Sequence, residues 1–200
     1  FKLLQELSKK KELKDFYLVG GTALSLILGH RMSVDLDFFS SQEFSYSLID
    51  RIGKPFEPIS IHNNSIECFI DKTKVFFFYF AFPRYKELLS IESIRMANPL
   101  DIGLMKLLAL QGRCTKKDII DLYFIDSQII SLEKLLEIFN DFYPKERINT
   151  YESIKTLLVP KILNSQPDPI ILKKKEYVSW EHCFLYVSRK IVKAVKKELI

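Results

Sequence analysis

Two aspartates separated by one apolar residue, Asp35-Leu36-Asp37, follow Gly20-Gly21-Thr22 after a dozen intervening residues. In an extended strand alternate side chains share a face, so the two carboxylates project the same way from Cα atoms about 6–7 Å apart. Like charges set side by side repel unless a cation shares the site, which is why such pairs gather at metal centres. Magnesium takes oxygen ligands and is commonly held by one or two carboxylates together with substrate phosphates, so the pair is a candidate magnesium site. Val34, Leu36 and Phe38 alternate with the acids. That alternation predicts a strand with one apolar and one acidic face, Leu36 toward the core. Taken alone, the triplet more often marks an edge strand with a solvated acidic face.

The elements before the triplet narrow the choice. Phe16-Tyr17-Leu18-Val19 is a short aromatic and β-branched run that stops at two glycines, the pattern of a strand entering a tight turn. A helix of about two turns follows, with Thr22 as N-cap, Leu24, Ile27 and Leu28 as its apolar stripe and Gly29 closing it. Glycines let backbone N–H groups approach a ligand closely, and the positive end of a helix attracts anions, so this turn can seat a phosphate. Strand, phosphate turn, helix and acidic strand together make a nucleotide-plus-metal layout.

These residues resemble the nucleotidyltransferase AbiEii/AbiGii toxin family of the polymerase-β-like superfamily. Val19-Gly20-Gly21-Thr22-Ala23-Leu24, then Leu28-Gly29-His30-Arg31-Met32-Ser33-Val34-Asp35-Leu36-Asp37-Phe38-Phe39, is similar to the family signature almost residue for residue. A second block, Lys106, Arg113, Lys117-Asp118 and Asp121-Leu122-Tyr123, resembles its later helical motif, and Pro167-Asp168-Pro169 with Trp180 its C-terminal segment. The resemblance implies transfer of a nucleoside monophosphate from a nucleoside triphosphate (NTP) to an RNA, protein or small-molecule acceptor, with Mg²⁺ or Mn²⁺ as cofactor. Asp35 and Asp37 would then be the catalytic and metal-binding residues. Gly20, Gly21, Thr22, Arg31, Ser33, Lys106, Arg113, Lys117, Asp118 and Asp121 would bind the nucleotide. An antitoxin protein is the partner such a toxin implies. Superfamily members usually carry a third carboxylate on a neighbouring strand. Here its place falls on Phe76 within Lys74–Phe80, a run without any acid, and Glu67 or Asp71 nearby are the substitutes to consider.

The second block also has a reading of its own. Asn98-Pro99 with Asp101 in the first turn starts a helix, which Gly112 ends. On it Lys106 and Arg113, seven apart, lie on nearly one face, while on the next helix Lys117 and Asp121 are spaced as a surface ion pair. Pattern alone leaves open two solvated helix faces.

Short β-rich runs precede residue 95: Pro58–His62, Ile66–Ile70 and Lys74–Phe80, with Asp71-Lys72-Thr73 as a hairpin turn. Beyond it, 99–112, 116–126, 131–142, 147–164 and 177–199 carry helical spacing. The expected fold is α+β: a polymerase-β-like mixed sheet with helices in a domain of residues 1–95, then a helical bundle in 96–200. The aromatic run Phe76–Phe80 reads as core buried on both faces.

Two hundred residues, 48% hydrophobic and 28% charged, describe a globular protein able to bury a core. No apolar run is long enough to span a bilayer, and the opening Phe1-Lys2-Leu3-Leu4 lacks a signal-peptide pattern. Cys68, Cys114 and Cys183 form no ligand pattern with the histidines and read as buried thiols, so a cytoplasmic location is expected. The net charge of +5 is concentrated at the C-terminus: Lys173, Lys174, Lys175, Arg189, Lys190, Lys193, Lys196 and Lys197 against Glu176, Glu181 and Glu198. Such a face suits either solvent or an anionic partner such as RNA. Three functional classes follow: a nucleotidyltransferase, a non-catalytic nucleotide-binding relative, and a plain interaction protein.

Overall fold

The computed structural model describes residues 1–143, 163 and 165–198, with side chains through residue 195 in the last helix. The expected helix 147–164 therefore lies outside the described residues, apart from Leu163. The chain forms two compact units, Phe1–Ala23 with Ser33–Asn98, and Leu24–Met32 with Pro99–Ile200.

A mixed seven-stranded sheet organises the first unit: β1 (Phe16–Val19), β2 (Leu36–Ser40), β3 (Phe56–His62), β4 (Ser65–Ile70), β5 (Thr73–Tyr79), β6 (Leu89–Ile91) and β7 (Ile94–Met96), in the order β3-β4-β5-β2-β1-β7-β6. Strand β1 lies inside the sheet, antiparallel to β2 and parallel to β7. All four of its residues are buried, which is why it reads as an unbroken apolar run rather than an alternation. Strands β2 and β5 are parallel neighbours, and β3-β4-β5 is an antiparallel meander. The β4–β5 hairpin turns on Asp71-Lys72, both at positive φ (49° and 62°), the backbone of a two-residue type I′ turn. Helices α1 (Lys2–Ser8) and α3 (Leu48–Ile52) bury Leu3, Leu4 and Leu7, and Leu48, Ile49 and Ile52. Helix α2 (Gly20–Leu28) begins in this unit.

Alternation along the strands gives the sheet two different faces. Leu36, Phe38, Val75, Phe77, Ile66, Cys68 and Ile70 are buried, whereas Asp37, Phe39, Phe76, Phe78 and Glu67 are half-buried and Lys74 is exposed. Within β5 the aromatic run is thus fully buried on one face only: Phe77 is buried, and Phe76 stacks on Phe78 at 5.5 Å on the face that carries Asp37, while Phe80 beyond the strand is buried as well.

The second unit contains α4 (Pro99–Ala109), α5 (Lys116–Gln128), α6 (Leu132–Phe142) and α7 (Trp180–Glu198). Helix α4 stops at Ala109, three residues before Gly112, so Arg113 lies beyond it. Thr115 caps α5 by accepting from the Asp118 N–H, and Ser131 caps α6 through Lys134 N–H. Helix α7 buries Trp180, Cys183, Phe184, Val187, Ile191 and Val195, the stripe of an amphipathic helix. Among the described residues no helix is long and apolar enough to cross a membrane.

Candidate active site

In the first unit the glycine turn meets the second acid of the pair, Asp37. Pairing of β1 with β2 sets Val19 across from Asp37, so the next residue, Gly20, passes beside the Asp37 side chain. Gly20 has φ +67°, and a Cβ there would run into Asp37 Oδ2, with Cγ at 3.3 Å. Two independent demands therefore require glycine: a left-handed backbone, and a carboxylate already in the space a side chain would occupy.

Helix α2 begins at Gly20 itself, so Thr22 lies within its first turn and is not the N-cap. Its buried hydroxyl is within bonding range of Ser33 Oγ (3.0 Å) and of the Asp35 carbonyl. A hydroxyl carries one proton. Thr22 therefore donates to the carbonyl and accepts from Ser33, which ties the start of α2 to the segment entering β2. Asp35 sits one residue before β2, and Val34 is exposed rather than part of an apolar face. Leu36 is buried as expected.

The neighbouring strands place Phe76 directly across from Asp37, and Glu67 directly across from Phe76. Paired residues share a face, so Asp37, Phe76 and Glu67 form one row across β2, β5 and β4. The Glu67 carboxylate is bound to Lys74 Nζ at 2.5 Å. The described residues contain no cluster of three His, Cys, Asp or Glu side chains able to hold a metal. Asp35 and Asp37 are the two carboxylates the sequence offers a magnesium ion, which commonly takes its other ligands from phosphates and water.

The second unit holds a buried ionic cluster. Asp121, with no exposed surface, accepts from Arg31 Nε (2.6 Å) and Nη2 (2.8 Å), from His30 Nε2 (2.7 Å) and from Lys106 Nζ (2.8 Å). Lys106 also bonds Asp118 Oδ1 at 2.7 Å, and Thr115 Oγ1 donates to Asp118 Oδ2 at 2.6 Å. Arg31 Nη1 donates to the Met32 carbonyl. The backbone at His30–Met32 is held against Ile170–Leu172 through Met32 N–H to Ile170 O and Leu172 N–H to His30 O. Burial by itself opposes charge on each group, but the mutual pairing prevails. Against that burial, the Asp118 and Asp121 charges and bonds lift Lys106 above its ordinary value. Lys106, with bonds from His30 and Arg31, holds Asp121 well below the carboxylate range, and Lys106 with Thr115 lowers Asp118.

Of the residues singled out by sequence, Gly20, Gly21, Thr22, Ser33, Asp35 and Asp37 lie in the first unit, and Arg31, Lys106, Arg113, Lys117, Asp118 and Asp121 in the second. Asp118 and Asp121 are buried, so they do not belong to a solvated face, and Asp121 pairs with Arg31 and Lys106. Arg113 and Lys117 are exposed. Sequence reasoning missed Lys74, His30 and Lys116. Lys116 Nζ meets Asp168 Oδ1 at 2.7 Å and lies 4.6 Å from the Trp180 ring centroid, which brings Asp168 and Trp180 to the residue just before the Lys117-Asp118 block. Lys74 carried a signal, a lone cation at the start of an aromatic strand. Cys68, Cys114 and Cys183 are free thiols.

Residues 2–67 match the family described as nucleotidyl transferase AbiEii toxin, type IV TA system. This stretch carries the AbiEii nucleotidyltransferase signature. An uncharacterized protein of Aquifex aeolicus is 34% identical over 134 residues, covering 62% of this chain and 65% of that relative. Among solved structures, MenT4, a nucleotidyltransferase toxin from Mycobacterium tuberculosis, is similar at TM-score 0.57 and 15% identity, over 96% of this chain and 82% of that one. JHP933 from Helicobacter pylori is similar at TM-score 0.53 and 21% identity, over 98% and 90%. The α+β fold is therefore shared with the MenT4 nucleotidyltransferase toxin and with JHP933, in keeping with the AbiEii resemblance.

Proposed function

We propose that the chain is a Mg²⁺-dependent nucleotidyltransferase that moves a nucleoside monophosphate from an NTP to a hydroxyl-bearing acceptor, as the toxin of a toxin–antitoxin pair. One observation carries the reading: the Asp37 carboxylate lies against Gly20 at the start of α2, so one acid of the pair and the anion-attracting helix end address one volume. Asp35 and Asp37 hold the divalent ion, which when bound neutralises phosphate charge. Gly20, Gly21 and Thr22 receive the triphosphate on backbone N–H groups. The acceptor oxygen bonds the α-phosphorus while the bond to the β-bridging oxygen breaks and pyrophosphate leaves. With Phe76 where a base would stand, the acceptor proton leaves to water. The basic C-terminal segment favours an RNA acceptor over a small molecule, and an antitoxin protein is the expected partner. Three unpaired thiols support a reducing, cytoplasmic setting.

The test is radiolabel transfer from each α-labelled NTP to cell RNA and protein, with Asp35→Asn and Asp37→Asn beside the wild type. Label lost in both variants supports the reading, and equal labelling by all three proteins refutes it. Phe76 across from Asp37 favours one alternative, a relative that binds nucleotide without transferring it. Calorimetric NTP binding without label transfer in the wild type selects that alternative.

A further inference from the structure

Lys74 lies near the start of β5, the strand that runs parallel to β2 and pairs with it. The β2–β5 register pairs Leu36 with Val75 and Asp37 with Phe76, so the next position along sets Lys74 beside Asp35 on the face that carries Asp37. Across the other edge of β5, Glu67 pairs with Phe76 and binds the Lys74 ammonium at 2.5 Å. The ammonium is held above its ordinary value chiefly by the Glu67 hydrogen bond, against burial, with further help from the charges of Glu67, Asp35 and Asp37. A cation thus shares the face with Asp35, Asp37 and Glu67. Glu67 itself is committed to that lysine.

We propose that Lys74, anchored by Glu67, is the built-in counter-cation of the Asp35–Asp37 pair and sets how tightly that pair takes a divalent cation. The inference rests on the metal role assigned to the pair under the proposed function. Glu67 is then a positioning residue that draws the ammonium away from the aspartates, and it is not a metal ligand. Substitutions at the two positions should act with opposite sign. Removing Lys74 takes a like charge from beside the incoming ion and tightens binding. Neutralising Glu67 releases the ammonium toward the aspartates and weakens it.

The experiment is Mn²⁺ titration of the whole chain, read from the free-ion paramagnetic resonance signal, with circular dichroism confirming that each variant folds. Lys74→Met should tighten Mn²⁺ about three- to tenfold, the scale of a partly screened charge near a divalent ion. Glu67→Gln should weaken it in the wild-type background and leave it unchanged in the Lys74→Met background, since a residue acting only through another loses its effect when that partner is gone. A Glu67→Gln effect that persists without Lys74 makes Glu67 a ligand and overturns the inference. So does unchanged or weaker binding in Lys74→Met. A wild type that takes up no Mn²⁺ refutes the metal role of the acid pair itself, which distinguishes that failure from a failure of the lysine's role.

Discussion

Gly20→Ala compared with Gly29→Ala isolates what the acid pair requires of the turn. Both glycines have left-handed backbones, with φ +67° and +62°, so each alanine incurs a similar conformational penalty of about 1–2 kcal/mol. The surroundings differ. A Cβ at Gly29 meets nothing within 4 Å, whereas one at Gly20 runs into the Asp37 carboxylate. Asp37 must rotate away, and a side chain driven off its rotamer costs a further ~0.5–1.5 kcal/mol. Gly20→Ala should therefore lower stability by about 1.5–3.5 kcal/mol and Gly29→Ala by about 1–2. At about 2–4 °C per kcal/mol for a chain of this size, the two melting temperatures should separate by a few degrees. The functional contrast is larger. Clearing the overlap displaces one of the two carboxylates proposed to hold the metal by about 1 Å, and a misplacement of that order costs about 10²-fold in rate. Label transfer and Mn²⁺ affinity should collapse in Gly20→Ala and stay within a few-fold of wild type in Gly29→Ala. Equal activity and equal Mn²⁺ affinity in the two variants would refute the placement of Asp37 as a functional ligand beside the turn.

Asp121→Asn leaves Arg31 and Lys106 buried with less than their complement of negative charge, and breaking a buried pair costs about 3–5 kcal/mol; thermal unfolding should fall by roughly 6–20 °C at that size of chain, and a loss under 2 °C would refute a structural role for the cluster. Because Asp118 and Asp121 are held below the usual carboxylate range, their contribution is complete above about pH 4 and is lost as pH falls through their folded values. Lys106 is raised, so its share is present below about pH 10 and is lost only as pH rises through its folded value. Melting temperature should be flat between these limits and fall below pH 4 more steeply in the wild type than in Asp121→Asn; parallel acid limbs would count against the assignment. Phe76→Asp puts a carboxylate directly across from Asp37, and Mn²⁺ titration should show binding about tenfold tighter, on the scale of a close opposite charge near the surface.

Local grammar made the acid pair and the turn legible. Glycine pairs, alternation and short apolar runs act within a dozen residues, and β3, β4 and β5 fall within two residues of their expected bounds. The β4–β5 connection was readable as Asp71-Lys72-Thr73, although Thr73 opens β5 and the turn itself is Asp71-Lys72, which adopt left-handed φ without glycine at some cost. By contrast β6 and β7 are three residues each. They exist because β1 offers Leu18 an edge for Met96, a fact that no window around residues 89–96 contains. The short helices α1 and α3 were missed for a related reason, since five to seven residues form a stable helix only when tertiary packing buries one side.

The second signature block shows where spacing ceases to inform. Lys117 and Asp121 at four residues, and Asp118 and Asp121 at three, are patterns of an exposed helix as much as of a buried one. Burial is decided by partners 90 and 91 positions away, Arg31 and His30. Two carboxylates entering a low-dielectric interior would be expelled or neutralised if alone. Arg31 and Lys106 supply two positive charges against the two negative ones, and Thr115 and the His30 ring fill remaining acceptor positions. Exchanging both charges of one pair together, as in Lys106→Met with Asp118→Leu, should therefore cost less stability than either change alone, because neither then strands an unpaired buried ion. Thermal melts of the three variants decide this. A double variant less stable than both singles would mean that the cluster does more than balance its own charge.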